Sequence, residues 1–356
     1  MTINNGNNKT RNSSIELVRL LAMFMIVYYH LILFFIEPID SNPIYKAIQI
    51  PLHIGVILFV LISGYFGIRP SFRGFFKILC VVAVYYLPLR LWYVYKMNMG
   101  GMAMLDSFHV LSKTPYWFVR TYLCLYLISP LLNKCLKDIS ARERIYYLFA
   151  FSVIAVYLGL LQCDISLIDG KNLANFILIY IIGNTIKIGH DKLSRLSSII
   201  FMGFFFFMNM VLVFLYYYFY NTRISDFIWN WSFPYYSPFL FVSSILFFIP
   251  FTRFTINSSR INYLAASAFS IYIIHHQPVV MDLILHPIAH SVYMGTAGNV
   301  TICIVMIGLL ALLVLFISVL IDKLLTPLWR ALDKLGIILE CMISRCFPSN
   351  HKSECV

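Results

Sequence analysis

The sequence predicts an all-α polytopic membrane protein: about ten transmembrane helices around a polar central cavity, with both termini cytoplasmic. Three observations predict it. Of the 356 residues, 60% are hydrophobic and only 12% are charged, about half the charge density of a soluble domain; mean hydropathy is +0.81. The apolar residues come in blocks of about twenty, the length that crosses a bilayer as a helix. Lysine and arginine alternate in density between successive loops, as membrane topology requires.

Taken in order, residues 1–14 are polar and read as a flexible cytoplasmic N-terminus. The first apolar run, 15–36, is too long for a signal-peptide core and is expected to stay as an uncleaved anchor. Glu37, Asp40 and Pro43 then lead to a second helix at 47–67. A third is predicted at 74–95, followed by a Gly/Met-rich loop, and a fourth at 116–133. The fifth, 145–161, precedes an acidic loop with Asp164 and Asp169, and the sixth is at 173–186. The seventh, 198–220, is very aromatic and leads through a loop with Asp226, Trp229 and Trp231 to the eighth at 235–251. The ninth is at 263–282, a loop with His286 and His290 follows, and the tenth is at 299–321. The membrane domain is thus 15–322, and 323–356 is a basic cytoplasmic tail. Counting Lys and Arg by side gives 20 against 7, which puts both termini in the cytoplasm of a multi-pass plasma (inner) membrane protein.

The net charge of +12 does not point to nucleic acid, because the basic residues sit singly or in small groups between apolar blocks. The eight cysteines show neither CxxC nor Cys/His ligand spacing, so neither a disulfide scaffold nor a metal site is expected. The absence of an evident internal repeat weighs against an inverted-repeat transporter.

The first helix carries the most informative residues. Arg19 and His30 are eleven residues apart, three turns plus about 20°, so they share a face about 16 Å apart along the axis. Ionisable residues on one face of a membrane helix mark a functional site. Histidine exchanges a proton near neutral pH and can activate a hydroxyl. Glu16 is spaced to pair with Arg19. In the segment ISGYFGIRPSFR, Ser63 and Gly64 permit close approach of a helix or ligand, and Arg69 and Arg73 either orient the chain or grip phosphates. In the fourth helix Phe118, Tyr122 and Tyr126 form one ridge, Trp117 lies at the interface, and Arg120 is one turn inside. His275 and His276 precede Pro278; on a continuous helix only one of them could face a given cavity.

Together these segments resemble the acyltransferase 3 family of membrane acyltransferases. Arg19 and His30 match the family's arginine, ten residues, histidine. Ile62-Ser63-Gly64-Tyr65 with Arg69 and Arg73 is similar to its ISG(Y/F) turn followed by arginine. Trp117-Phe118 through Ser129-Pro130 resembles its Trp-Phe helix ending in Ser-Pro, and Ile271 to Pro278 its late IYLIH.P segment. The chain departs in having Glu16 where Asp is frequent and one extra residue between His275 and Pro278. No appended hydrolase-like domain is expected.

The resemblance implies an O-acyltransferase that moves an acyl group, acetyl foremost, from cytoplasmic acyl-CoA to a hydroxyl of an extracytoplasmic or lipid-linked glycan. His30 would be general base or transient acyl carrier, with Arg19 beside it. Arg69, Arg73, Ser63 and Gly64 would hold the donor, and Trp117, Arg120, Tyr122 and His275 would line the substrate cavity. The alternative is a glycan or lipid carrier, or flippase, using Arg19 and His30 as a substrate or proton site; it would need no acyl-CoA and leave no modified product.

Overall fold

The computed structural model describes residues 12–36, 42–111, 116–161, 169–189, 195–296 and 298–346. Residues 1–11 of the predicted flexible N-terminus, Asp40, Asp164 and the end of the tail, 347–356, lie outside them. Every regular element among the described residues is helical.

Asn12 caps α1 (Ser13–Leu31), its side-chain oxygen accepting from the Ser14 and Ile15 amides at 3.1 and 3.4 Å. The helix runs on through a π turn, Ile32–Ile36. The second span is built from α2 (Pro43–Ala47), α3 (Gln49–Leu52) and α4 (Gly55–Phe66). Ser71 caps α5 (Phe72–Lys96). The Gly/Met-rich connection holds a short helix, α6 (Gly101–Ser107), before α7 (Trp117–Asp138). A capping box between Ser140 and Glu143 starts α8 (Ala141–Ile154). Then come α9 (Leu173–Gly189) and α10 (Arg195–Tyr218).

Three stretches read as loop or as one span are organised differently. The loop after the seventh predicted helix contains α11 (Arg223–Ser232), started by Thr222, and α12 (Pro238–Arg253) follows. The ninth predicted helix is broken into α13 (Ser259–Ala265), α14 (Ala268–His275) and α15 (Pro278–Val280). The arms on either side of the break, Ser259–His275 and Pro278–Gly295, bend by 73°. The reason is local: Gln277 caps α15 with Pro278 at its first turn, a position where proline starts a helix and cannot continue one. The stretch with His286 and His290 is not a loop but α16 (His286–Gly295). The last elements are α17 (Val300–Leu324) and α18 (Thr326–Cys346), so a helix occupies the first part of the basic tail.

Among the described residues five helices are long and apolar enough to span a membrane, six if the bent pair counts as one. The apolar helices α9 and α12 are shorter. Of the ten predicted spans, these five or six are the ones recovered by length and apolar composition among the described residues.

Helix α1 is the centre of the bundle, touching α4, α12, α13, α14 and α17. Its start is held by two serines: the Ser14 hydroxyl accepts from the Ile256 amide at 2.9 Å and the Ser13 hydroxyl from the Ser258 amide at 3.0 Å. Helices α4 and α9 cross at backbone contact. A Cβ on Gly64 would lie 2.2 Å from the Tyr180 carbonyl oxygen, and one on Gly183 would lie 2.4 Å from that of Leu61.

Candidate active site

The bundle forms a half-open cavity of about 540 Å³ beside the N-terminal half of α1. Arg19, Met23 and Ile26 of α1 line it, with Ser63 of α4, Tyr122 of α7 and Tyr272 of α14. Lys77 of α5 and Lys323 of α17 add positive charge, and Trp329 of α18 closes one side. Arg19 pairs with Glu16 one turn earlier, as their spacing predicts. The Ser63 hydroxyl donates to the Phe59 carbonyl at 2.9 Å and lies 3.2 Å from the Tyr122 hydroxyl, so two of the predicted residues share one wall.

His30 stands four residues beyond Ile26, on the next turn of the same face, just past the cavity lining. It does not stand alone. Because the helix breaks between His275 and Pro278, both late histidines reach it: His30 stacks on His275 at 5.2 Å and on His276 at 4.8 Å between ring centres. On a continuous helix the two would point about 100° apart. His276 escapes that geometry as the residue that ends α14, with φ −95° and ψ 9°.

The hydrogen bonds fix the protons. His275 Nδ1 is 2.8 Å from the Ile271 carbonyl oxygen, which only accepts, so Nδ1 carries the hydrogen. The neutral ring then offers a lone pair on Nε2, which lies 2.9 Å from His30 Nδ1. His30 Nδ1 must donate, and the lone pair of His30 sits on Nε2. A chain from Ile271 through His275 thus sets the tautomer of His30. A cationic His275 is disfavoured, since its neighbours are aromatic rings, imidazoles and a carbonyl.

The three imidazoles offer nitrogens within 4.8 Å of one another. Zinc–nitrogen bonds of about 2.0–2.1 Å require every pair to fall within about 4.2 Å. The three form a group that could hold a metal ion, which the sequence spacing did not predict, and two of its members are joined by a hydrogen bond.

Other predicted site residues lie elsewhere. Arg69 is exposed and outside the cavity lining. Arg73 forms a two-pronged pair with Asp333 of α18, its Nε donating to Oδ1 at 2.7 Å. Gly64 faces the backbone of α9. Arg120 is exposed and reaches the Leu111 carbonyl at 3.4 Å. Trp117 packs on Tyr235 and Phe176, with Lys171 Nζ 5.8 Å from its ring centre.

Sequence reasoning also passed over residues that matter here. Lys77 and Lys323 read only as topology signals. Asp322 read as the end of a span, yet it is buried and lines the cavity. It accepts from Tyr85 at 3.0 Å, Ser267 and Ser270 at 2.6 Å each, and Trp329 at 3.1 Å. The available signal was a lone acid at the end of an apolar helix, which must find donors.

The family model described as an acyltransferase domain matches residues 12–323, nearly the whole chain. No curated protein and no solved structure gives a significant match. The matched span takes in the cavity, the three histidines and every helix from α1 to α17, and the chain belongs to the acyltransferase 3 family.

Proposed function

We propose that this membrane acyltransferase moves an acyl group, acetyl foremost, from acyl-CoA to a hydroxyl of a glycan on the other side of the membrane. The single observation that carries the reading is the lone pair left on His30 Nε2 by the His275–Ile271 chain, one turn beyond a cavity with a basic lining. The cavity suits the donor: with Arg19 paired to Glu16, Lys77 and Lys323 outweigh Asp322 in its lining and complement an anion. The count of basic residues by side supports a cytoplasmic location for that end.

In the reaction the acceptor hydroxyl gives its proton to His30 Nε2 as its oxygen bonds to the thioester carbon. The C–S bond breaks, and the departing thiolate takes the proton from His30. Throughout, Nδ1–H stays bonded to His275, which holds the ring in place. Transient acyl carriage on the same Nε2 uses the same tautomer.

The carrier reading has one feature in its favour, the helix broken by 73° beside the histidines, since transporters bind substrate at discontinuous helices. One experiment separates the two. Purified protein in liposomes receives radiolabelled acetyl-CoA and a glycolipid acceptor fraction. Label passing to glycolipid with wild type, and falling about 10²–10⁴-fold in His30→Ala, supports the transferase. Equal transfer by the variant removes His30 from the chemistry. No labelled product with any acyl-CoA tried leaves the carrier.

A further inference from the structure

The structure holds a second cavity, of about 460 Å³, at the other end of α1. Leu33, Lys46 of α2, Tyr216 of α10, and Asp226, Trp229 and Asn230 of α11 line it. The donor chemistry described above makes no use of it.

Two helical registers tie this cavity to His30. On α1 and its π turn, Arg19, Met23 and Ile26 line the larger cavity, His30 follows, and Leu33 lines the second. Their spacings of four, three, four and three keep all five on one face. At about 1.5 Å per residue, Ile26 and Leu33 are roughly 10 Å apart along the axis with His30 between them. On α11, Asp226, Trp229 and Asn230 are likewise spaced by three and four and share a face. Helix-end electrostatics accounts for Asp226 near the start of α11 and for Lys46 in the last turn of α2, each taken singly. It does not account for their meeting around one space with an amide and an indole.

A wall of stacked rings joins the two places. Trp229 stacks on Phe233 at 4.1 Å, Phe233 on His53 at 4.0 Å, His53 meets Tyr29 edge-on at 5.0 Å, and Tyr29 contacts His30 at 5.3 Å. The lining combines a carboxylate, an amide and an ammonium with aromatic faces. Those groups supply adjacent donors and acceptors for vicinal hydroxyls, and the rings present apolar faces with polar tips for the C–H side of a polyol ring. A phosphate-rich ligand fits poorly, because Lys46 is opposed by Asp226.

We propose that this second cavity is the acceptor subsite: it holds the sugar ring of a free or lipid-linked glycan and delivers a hydroxyl to His30 from the side opposite the acyl donor. The assignment rests on the acyltransferase reading and adds the place and the class of its second substrate. The bond changes are those given above; the subsite contributes binding and orientation, and no proton passes through its own residues.

The test uses the full chain in nanodiscs with acetyl-CoA and two sets of acceptors, methyl glycosides and octyl glycosides of glucose, galactose and N-acetylglucosamine. Asp226→Asn and Asn230→Ala should raise the acceptor KM about tenfold each and leave the acetyl-CoA KM within about twofold. Binding is read separately, as a glycoside-dependent change in tryptophan fluorescence present in wild type and lost in Trp229→Phe. A response to octyl glycosides alone identifies a lipid-linked acceptor, and a response to both sets a free one. Unchanged acceptor KM in both variants overturns the assignment, as does a wild type whose fluorescence responds to no glycoside or responds equally in Trp229→Phe. His30→Ala serves as the control on the underlying reading: if it still transfers, the role of His30 falls, while the fluorescence result continues to judge the cavity.

Discussion

Gly64 offers the sharpest test of how the bundle is held together, because both sides of its contact are backbone. In Gly64→Ala the new Cβ would meet the Tyr180 carbonyl oxygen at 2.2 Å and the Tyr180 carbonyl carbon and Cα at 2.9 Å. Ordinary contact begins near 3.4 Å, so α4 and α9 must part by about 1 Å. No flexible side-chain end is available to swing aside. Gly183 makes the reciprocal approach one turn along, to the Leu61 carbonyl oxygen and the Tyr65 amide, so separating the helices loosens that contact too. Overpacking ordinarily costs about 1–3 kcal/mol; with backbone on both sides the expectation is about 3 kcal/mol. At roughly 2–4 °C per kcal/mol for a domain of this order, melting should fall by about 6–12 °C. The assay is thermal challenge of the full chain in detergent, followed by the fraction still eluting as a single species. Gly203→Ala is the matched control: it lies in the interior of α10 with nothing within 4 Å of its Cβ, and helix propensity predicts a gain of about 0.5–1 kcal/mol. If Gly64→Ala melts within about 2 °C of wild type, or no lower than Gly203→Ala, the close crossing of α4 and α9 is refuted.

Three further outcomes are expected. Asp322→Ala should destabilise the fold by about 3–5 kcal/mol, since Tyr85, Ser267 and Ser270 would lose their acceptor, while Trp329 keeps the Asp322 backbone carbonyl; Asp322→Asn, which keeps one oxygen, should cost clearly less in the same melting assay. Replacing Lys77 and Lys323 by glutamate should raise the KM for acetyl-CoA about tenfold or more, with a weaker salt dependence, whereas Arg69→Glu should change it little; equal effects would return the donor site to the predicted arginines. Arg73 donates to Asp333 and holds that carboxyl below its usual range. The pair's contribution is therefore present above the unfolded carboxyl value of about 3.9 and lost as pH falls through the folded one. Being surface-exposed, it is worth about 0.2–1 kcal/mol, so Asp333→Asn at neutral pH should speed hydrogen exchange in α18 by up to about fivefold; unchanged exchange would show that α18 is held without it.

What the sequence made legible was whatever depends on periodicity and length. Apolar blocks marked a membrane bundle, and the eleven-residue interval placed Arg19 and His30 on one face of α1. Glu16 and Arg19 pair across a single turn. What stayed hidden was the choice of distant partner. Nothing near Arg73 says that Asp333, 260 positions later, takes its guanidinium, and a helical wheel separates His275 from His276 when a helix break brings both to His30. Burial explains why these choices were made as they were. A charge inside the bundle must be met, so Glu16 is taken by Arg19 and Asp322 by three hydroxyls and an indole. Asp322 still carries its negative charge, but of the cavity's charged lining Lys77 and Lys323 remain to outweigh it. The acids of α1 and α17 are thus absorbed by the fold, and the cavity keeps a positive excess beneath a histidine whose reactive nitrogen is set by neutral neighbours. An anionic donor on one side and a proton acceptor at its end follow from the same requirement, that every buried polar group find its partner.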